Sequence, residues 1–213
     1  MDLSPKNGKP EDATPTRRDR RRLETRGRLM RSAVALFAAQ GYHATSVDDI
    51  ARDADVARAT AFNYFPRKED YLTAWIDSRR SDFKTFLADD QAAGLDTTAR
   101  LLHAFAGLAA VYEHDPEISR PIVREWLRTG GPLMAHGAGS AALVGSVLAE
   151  GQHRGDIRPD IDATEMGGVV LDIYYGALYS WAREDGLPAR LAEPVVRALG
   201  LMLGAIQVRR GQP

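Results

Sequence analysis

Within this 213-residue chain, Arg58 and Asn63 are the residues whose chemistry best suits them to read another molecule. A guanidinium can bridge O6 and N7 of guanine, and a carboxamide can bridge N6 and N7 of adenine. Beside them, Ala59, Thr60 and Phe62 can touch a thymine methyl or the sugar-phosphate backbone. All five lie in the stretch R-A-T-A-F-N-Y, which starts near Arg58. Ala61, Tyr64 and Phe65 are spaced as the inward face of a helix, which leaves the five on its outer or flanking faces. Pro66 ends the helix.

A second short helix must position the first. Ser46 carries the start signal: its hydroxyl can accept the Asp49 amide, while Asp48 and Asp49 place negative charge in the first turn. Val47, Ile50, Ala51 and Ala54 then recur at helical spacing and form one buried stripe. Asp55 falls where the chain must turn, and Val56 is the apolar plug that pins the turn to the core. Small residues at Ala51, Ala54 and Ala61 let the two helices cross closely and steeply, the geometry of a helix-turn-helix, with the second helix as reader.

These motifs carry a resemblance. The run from Thr25 to Leu72 holds an amphipathic helix ending in G-Y, then T-S-V-D-D-I-A, then a T-x-x-x-Y-F-P-x-K-E-x-L close, and so resembles the DNA-binding domain of the TetR family of transcriptional regulators. Two positions depart from that family's pattern: Asp55 stands where glycine is usual, in a left-handed position that Asp tolerates better than most residues, and Phe62 stands where tyrosine is common. The resemblance implies an all-α protein: an N-terminal three-helix helix-turn-helix head joined to a C-terminal helical ligand-binding and dimerisation body. It also implies phosphate contacts from Thr45 or Ser46, from Tyr64 and from Lys68. Each has a plainer reading beside it. Thr45 and Ser46 can simply cap, and Tyr64 can belong to the core.

Charge agrees with a nucleic-acid partner. From Arg17 to Arg31 there are eight arginines, Arg28 among them, against Asp19 and Glu24. A basic stripe directly ahead of a reading head is an electrostatic footprint for DNA, and Arg28 and the arginines at 20–22 can lie along phosphates or reach into a minor groove. Residues 1–16 hold three prolines and few apolar side chains. We therefore expect a disordered basic arm over residues 1–22, a DNA-binding domain over 23–70 and an effector-binding and dimerisation domain over 71–213. The chain has no cysteine, so disulfides and thiolate metal sites are excluded. No segment approaches the ~20 apolar residues of a membrane span, and we expect a cytoplasmic protein with no membrane partner.

Beyond Lys68, periodicity predicts a series of amphipathic helices. One runs from Lys68 to about Ala88. Another is capped by Thr97 or Thr98 and ends before Pro116. A clean start at Asp162 opens a helix over 163–183. The last helix, from Pro194, is apolar on almost every face and needs a partner beyond its own body. We expect a homodimer through residues 163–183 and 194–208.

The body offers no catalytic constellation. His43, His103, His114, His136 and His153 lack metal-ligand spacing, and no G-x-S-x-G or phosphate-cradling loop occurs. The expectation is a protein that is not an enzyme and uses no cofactor or metal. Phe105, Leu108, Tyr112, Trp126, Met134, Tyr174 and Trp181 can together line an effector cavity between body helices, although each one alone reads more readily as core. Asp172, beside Tyr175 and Tyr179, is either a ligand contact or part of a solvated face. The reading that follows is a regulator, most simply a repressor, that binds a palindromic operator and is released by a small molecule. A DNA-binding protein without effector, and a helical enzyme or carrier with a degenerate head, stand as alternatives.

Overall fold

A computed structural model describes residues 16–92, 94–130, 137–183 and 190–208. Among these residues the chain is helical, and its only β pairing is an isolated antiparallel bridge between Ile157 and Gln207. The head consists of α1 (Arg17–Gln40), α2 (Val47–Asp53) and α3 (Arg58–Tyr64). The body consists of α4 (Glu69–Leu87), α5 (Thr97–His114), α6 (Pro116–Arg128), α7 (Gly137–Arg154), α8 (Ala163–Arg183) and α9 (Ala192–Ile206).

Capping chemistry sets the boundaries of the head. Ser46 and Asp49 form a reciprocal capping box that starts α2: Asp49 N donates to Ser46 Oγ at 3.1 Å and Ser46 N donates to Asp49 Oδ2 at 3.0 Å. The same hydrogen bonds hold the Asp49 carboxyl below its usual range. Gly41 ends α1 with φ 88°, and Asp55 makes the turn between α2 and α3 with φ 50°. Asp55 therefore occupies the left-handed position that the sequence assigns to it.

One expectation is corrected here. The arm expected over residues 1–22 is shorter: residues 17–22 form the first turns of α1, in keeping with a sequence pattern that turns helical from about Arg17. Thr16 starts that helix through a second capping box with Asp19, which overrides the composition argument. The arginines at 20–22 are thus helix side chains and not an extended arm. Residues 1–15 lie outside the described residues.

The line drawn between residues 70 and 71 falls inside α4. Tyr71 stacks on Phe65 of the head with ring centroids 4.1 Å apart, whereas Trp75 meets Tyr112 and Phe83 meets Phe105 in the body. One stiff helix therefore packs into both cores. Helix α6 adds a second junction by packing against α1.

In the body, α7 and α8 lie closest together. A Cβ on Gly167 would come within 2.5 Å of the Ala141 carbonyl, so only glycine permits that crossing. The cap of α5 is Asp96, which accepts from Ala99 N at 2.8 Å, and not Thr97 or Thr98. Thr97 is buried instead, where it donates through its amide and hydroxyl to Asp156. Glu113 caps α9 by accepting from the amides of Leu191 and Ala192.

Candidate nucleic-acid interface and effector cavity

The second helix of the motif presents its expected face. Ala61 is fully buried and Phe65 nearly so, while Arg58, Ala59, Phe62 and Asn63 are exposed and Thr60 is half-buried. Arg58 is oriented, not loose: its Nε lies 2.8 Å from Asp48 Oδ1, and its guanidinium carbon sits 5.5 Å from the centre of the Phe62 ring. The terminal nitrogens of the fork remain for a partner. Tyr64 is half-buried and shares a groove with Arg18, Arg21, Arg22, Arg28 and Thr60. The arginines of α1 thus line a groove, with Asp19 and Asp55 also in it, that borders α3 at Thr60 and Tyr64.

Three expected phosphate contacts are used inside the protein. Lys68 Nζ donates to the carbonyls of Tyr42 at 2.8 Å and Thr45 at 3.0 Å, and it lies 4.1 Å from the centre of the Tyr42 ring. It staples the start of α4 to the α1–α2 loop, which occupies two of its three donors. Thr45 is 2% exposed, and its hydroxyl donates to Gly41 O and accepts from Gln40 Nε2. Its side chain is closed to a phosphate. The Ser46 hydroxyl is committed to Asp49, to which it donates at 2.6 Å. The capping reading holds for Ser46, the N-cap of α2, whereas Thr45 ties the α1–α2 loop to the end of α1.

Next to the staple, Glu125 of α6 joins body to head. Its carboxylate takes a two-pronged contact from Arg128, with Nε–Oε2 at 3.0 Å and Nη2–Oε1 at 2.6 Å, and also lies 3.5 Å from His43 Nε2. The Arg128 hydrogen bonds, aided by the charges of Arg128, His43 and Lys68, hold the carboxyl below its ordinary value against the opposing effect of burial. Sequence reading missed this residue, because nothing local pairs a glutamate on α6 with a loop eighty residues earlier.

The body contains a cavity of about 50 Å³ between α4, α5, α6, α7 and α8. Of the seven expected lining residues, Phe105, Leu108, Tyr112, Trp126 and Tyr174 line it. Trp181 does not: it packs one layer away, edge-on to Tyr112 at 6.2 Å and beneath the Arg120 guanidinium at 5.0 Å. Met134 lies outside the described residues. The sequence missed Arg79, Arg80, Ser140 and Tyr175 as lining residues. Tyr175 was set on a polar face with Asp172, yet it turns inward and meets the Trp126 ring at 5.8 Å, while Asp172 stays exposed. Burial pushes the Tyr174 phenol well above its ordinary value and raises Tyr175 as well, the latter opposed by the Ser140 hydroxyl and the Arg80 charge.

An exposed reading helix, a basic groove beside it and a cavity-bearing helical body define a helix-turn-helix regulator. Comparison with known proteins agrees. The family model described as bacterial regulatory proteins, tetR family, matches residues 29–74. The mycofactocin biosynthesis transcriptional regulator MftR of Mycobacterium tuberculosis is 32% identical over 180 residues, covering 79% of this chain and 85% of MftR. The transcriptional repressor KstR of the same organism is 22% identical over 181 residues, covering 85% of this chain and 81% of KstR. Among solved structures, Thermus thermophilus FadR, a TetR-family repressor crystallised with lauroyl-CoA, is 28% identical with a TM-score of 0.63, covering 88% of this chain and 98% of FadR. The chain belongs to the TetR family of transcriptional regulators.

Proposed function

We propose that this protein is a homodimeric, cytoplasmic repressor that binds a two-fold symmetric operator and leaves it when a small molecule fills the body cavity. The observation that carries the reading is Arg58, exposed on α3 yet pre-aimed by Asp48 and stacked beside Phe62. With Nε engaged, its terminal nitrogens suit guanine O6 and N7, Asn63 suits adenine, and Ala59, Thr60 and Phe62 supply contacts to thymine methyls and backbone. Arg28 and Tyr64 with the other groove arginines contact phosphates and fix register. A symmetric pair of such helices must stand about 34 to 36 Å apart, or at a multiple of that distance.

Dimerisation follows from the outer faces of α8 and α9. Leu201 is 78% exposed, Val169, Tyr179 and Val208 are also exposed, and Gly176 and Gly204 face open space. Exposed apolar residues on two adjacent helices suit a four-helix bundle with a second copy. Leu201→Glu is expected to give a monomer in sedimentation at micromolar concentration and to lose operator binding.

Release needs an effector that binds better to the form whose reading helices are wrongly spaced. Two connections lead from cavity to head. Helix α4 lines the cavity with Ile76 and Phe83 and meets the head through Tyr71. Helix α6 places Trp126 in the cavity and the adjacent Glu125 against Arg128 and His43. That FadR, a repressor similar to this chain, was crystallised with lauroyl-CoA supports control by a small molecule. Gel shifts on DNA flanking the protein's own gene, with and without candidate ligands, test the proposal: a shift reversed by a ligand supports it, and equal binding to any DNA without ligand response contradicts it.

A further inference from the structure

The lining of the cavity also restricts which molecules it can take. We propose that its ligand is an uncharged, largely apolar molecule whose essential polar group is a hydrogen-bond acceptor, such as a carbonyl oxygen, met by the Tyr174 hydroxyl. As the chemistry of an effector, this rests on the regulator reading above.

Tyr174 is 3% exposed, and its hydroxyl has no partner in hydrogen-bonding geometry among the described residues, although Tyr112 is its close neighbour. A buried hydroxyl left unpaired is costly, and a ligand acceptor recovers that cost. Burial also keeps the phenol protonated, so it remains a donor throughout the physiological range. Most of the wall around it is apolar, with Phe83, Phe105, Leu108, Leu143 and Trp126 among its members.

The cations in the lining are already matched. Arg79 Nε lies 3.3 Å from Asp82 Oδ2, Arg80 Nη1 lies 3.6 Å from Asp77 Oδ1, and Arg80 Nε donates to Ser140 Oγ at 3.0 Å. Two arginines face two carboxylates, each one helical turn away on α4. A carboxylate or phosphate entering the cavity must displace one of these or remain an uncompensated buried charge. A cation fares no better, because among the described residues no carboxylate lines the space, and those nearby hold arginines. The free volume of about 50 Å³ holds only a few waters. A ring system therefore enters by displacing lining side chains, for which the Trp126–Tyr175 pair offers flat surfaces.

Isothermal titration of the full chain with three molecules of one shape tests this: 2-acetylnaphthalene, 2-ethylnaphthalene and 2-naphthoate. The acetyl compound should bind roughly fivefold tighter than the ethyl compound, the scale of one neutral hydrogen bond, and the carboxylate should bind weakest. In Tyr174→Phe the acetyl advantage should vanish while ethyl binding stays unchanged. Tightest binding by 2-naphthoate, equal binding of the two neutral compounds, an acetyl preference that survives Tyr174→Phe, or no binding of any of the three would overturn the proposal. Should the variant fail to fold by circular dichroism, the wild-type order decides alone, since any order other than acetyl, ethyl, carboxylate overturns it. Gel shifts run separately keep the two readings distinguishable: loss of operator binding with the ligand order intact sinks the regulator, and a changed order with operator binding intact sinks this chemistry.

Discussion

The α1–α2 loop of the head and the cavity of the body treat their polar groups in opposite ways. In the head, the Thr45 hydroxyl both donates and accepts, the Lys68 ammonium holds two carbonyls, and Ser46 and Asp49 satisfy each other. In the body, the Tyr174 hydroxyl and the Trp181 indole N–H are buried without a partner in hydrogen-bonding geometry among the described residues. A satisfied polar network fixes one geometry, which a surface that must match rigid DNA requires. An unsatisfied group beside a small cavity favours any state in which a ligand completes it. The difference separates a fixed reader from an adaptable sensor, with α4 and α6 joining them.

Substitutions can break or sharpen that contrast. The largest effect is expected in the body from Gly167→Ala, because the new methyl meets the backbone of α7 at 2.5 Å and neither helix can yield cheaply. The expected loss is ~2 to 4 kcal/mol of stability in chemical denaturation, with no change in the DNA contacts themselves. In the head, Lys68→Ala removes two charge-assisted hydrogen bonds to carbonyls. It should cost ~2 kcal/mol of stability, and its effect on DNA should track the fraction unfolded and not the salt dependence. A flattened salt slope with full stability would restore Lys68 as a phosphate contact.

The smallest effect is at the junction. The Glu125 carboxyl lies below its ordinary value of 4.5 in the folded protein, so its contribution is fully present above that value and is lost as the pH falls through the lower folded value. Glu125→Gln should therefore lower the melting temperature by a few degrees at pH 7, and the gap from wild type should narrow as the pH falls below 4.5. A gap that is constant across pH would mean that packing, not charge, is what the substitution removes.

The head was largely legible from its sequence because its signals are local. Ser46 with Asp49, Asp55 at the turn, Gly41 at the end of α1 and the inward spacing of Ala61 and Phe65 each act within a few residues. The Thr16–Asp19 box was equally local, and the proline-rich, arginine-rich composition around it obscured it. The roles of Lys68 and Thr45 were not legible, since their partners are set by how α4 docks on the preceding loop. In the body, helical spacing marked which aromatics face inward, as Phe105, Tyr112 and Tyr174 do. It could not show which inward residues border empty space: Trp181 packs solidly against Tyr112, while Tyr175, about 120° around the helical wheel from Trp181, reaches the cavity from the flank of α8. That distinction depends on how α7 and α8 meet, which Gly167 sets by its contact with Ala141.

The central claim, that α3 reads DNA through Arg58, is tested most directly by fluorescence anisotropy with the symmetric site found upstream of the gene and a scrambled duplex of equal length. Wild type should prefer the symmetric site, and Arg58→Ala should lose ~1 to 3 kcal/mol of that preference per half-site while its binding to scrambled DNA and its melting temperature stay nearly unchanged. Equal losses on both duplexes, or a wild type that does not distinguish them, would contradict the account.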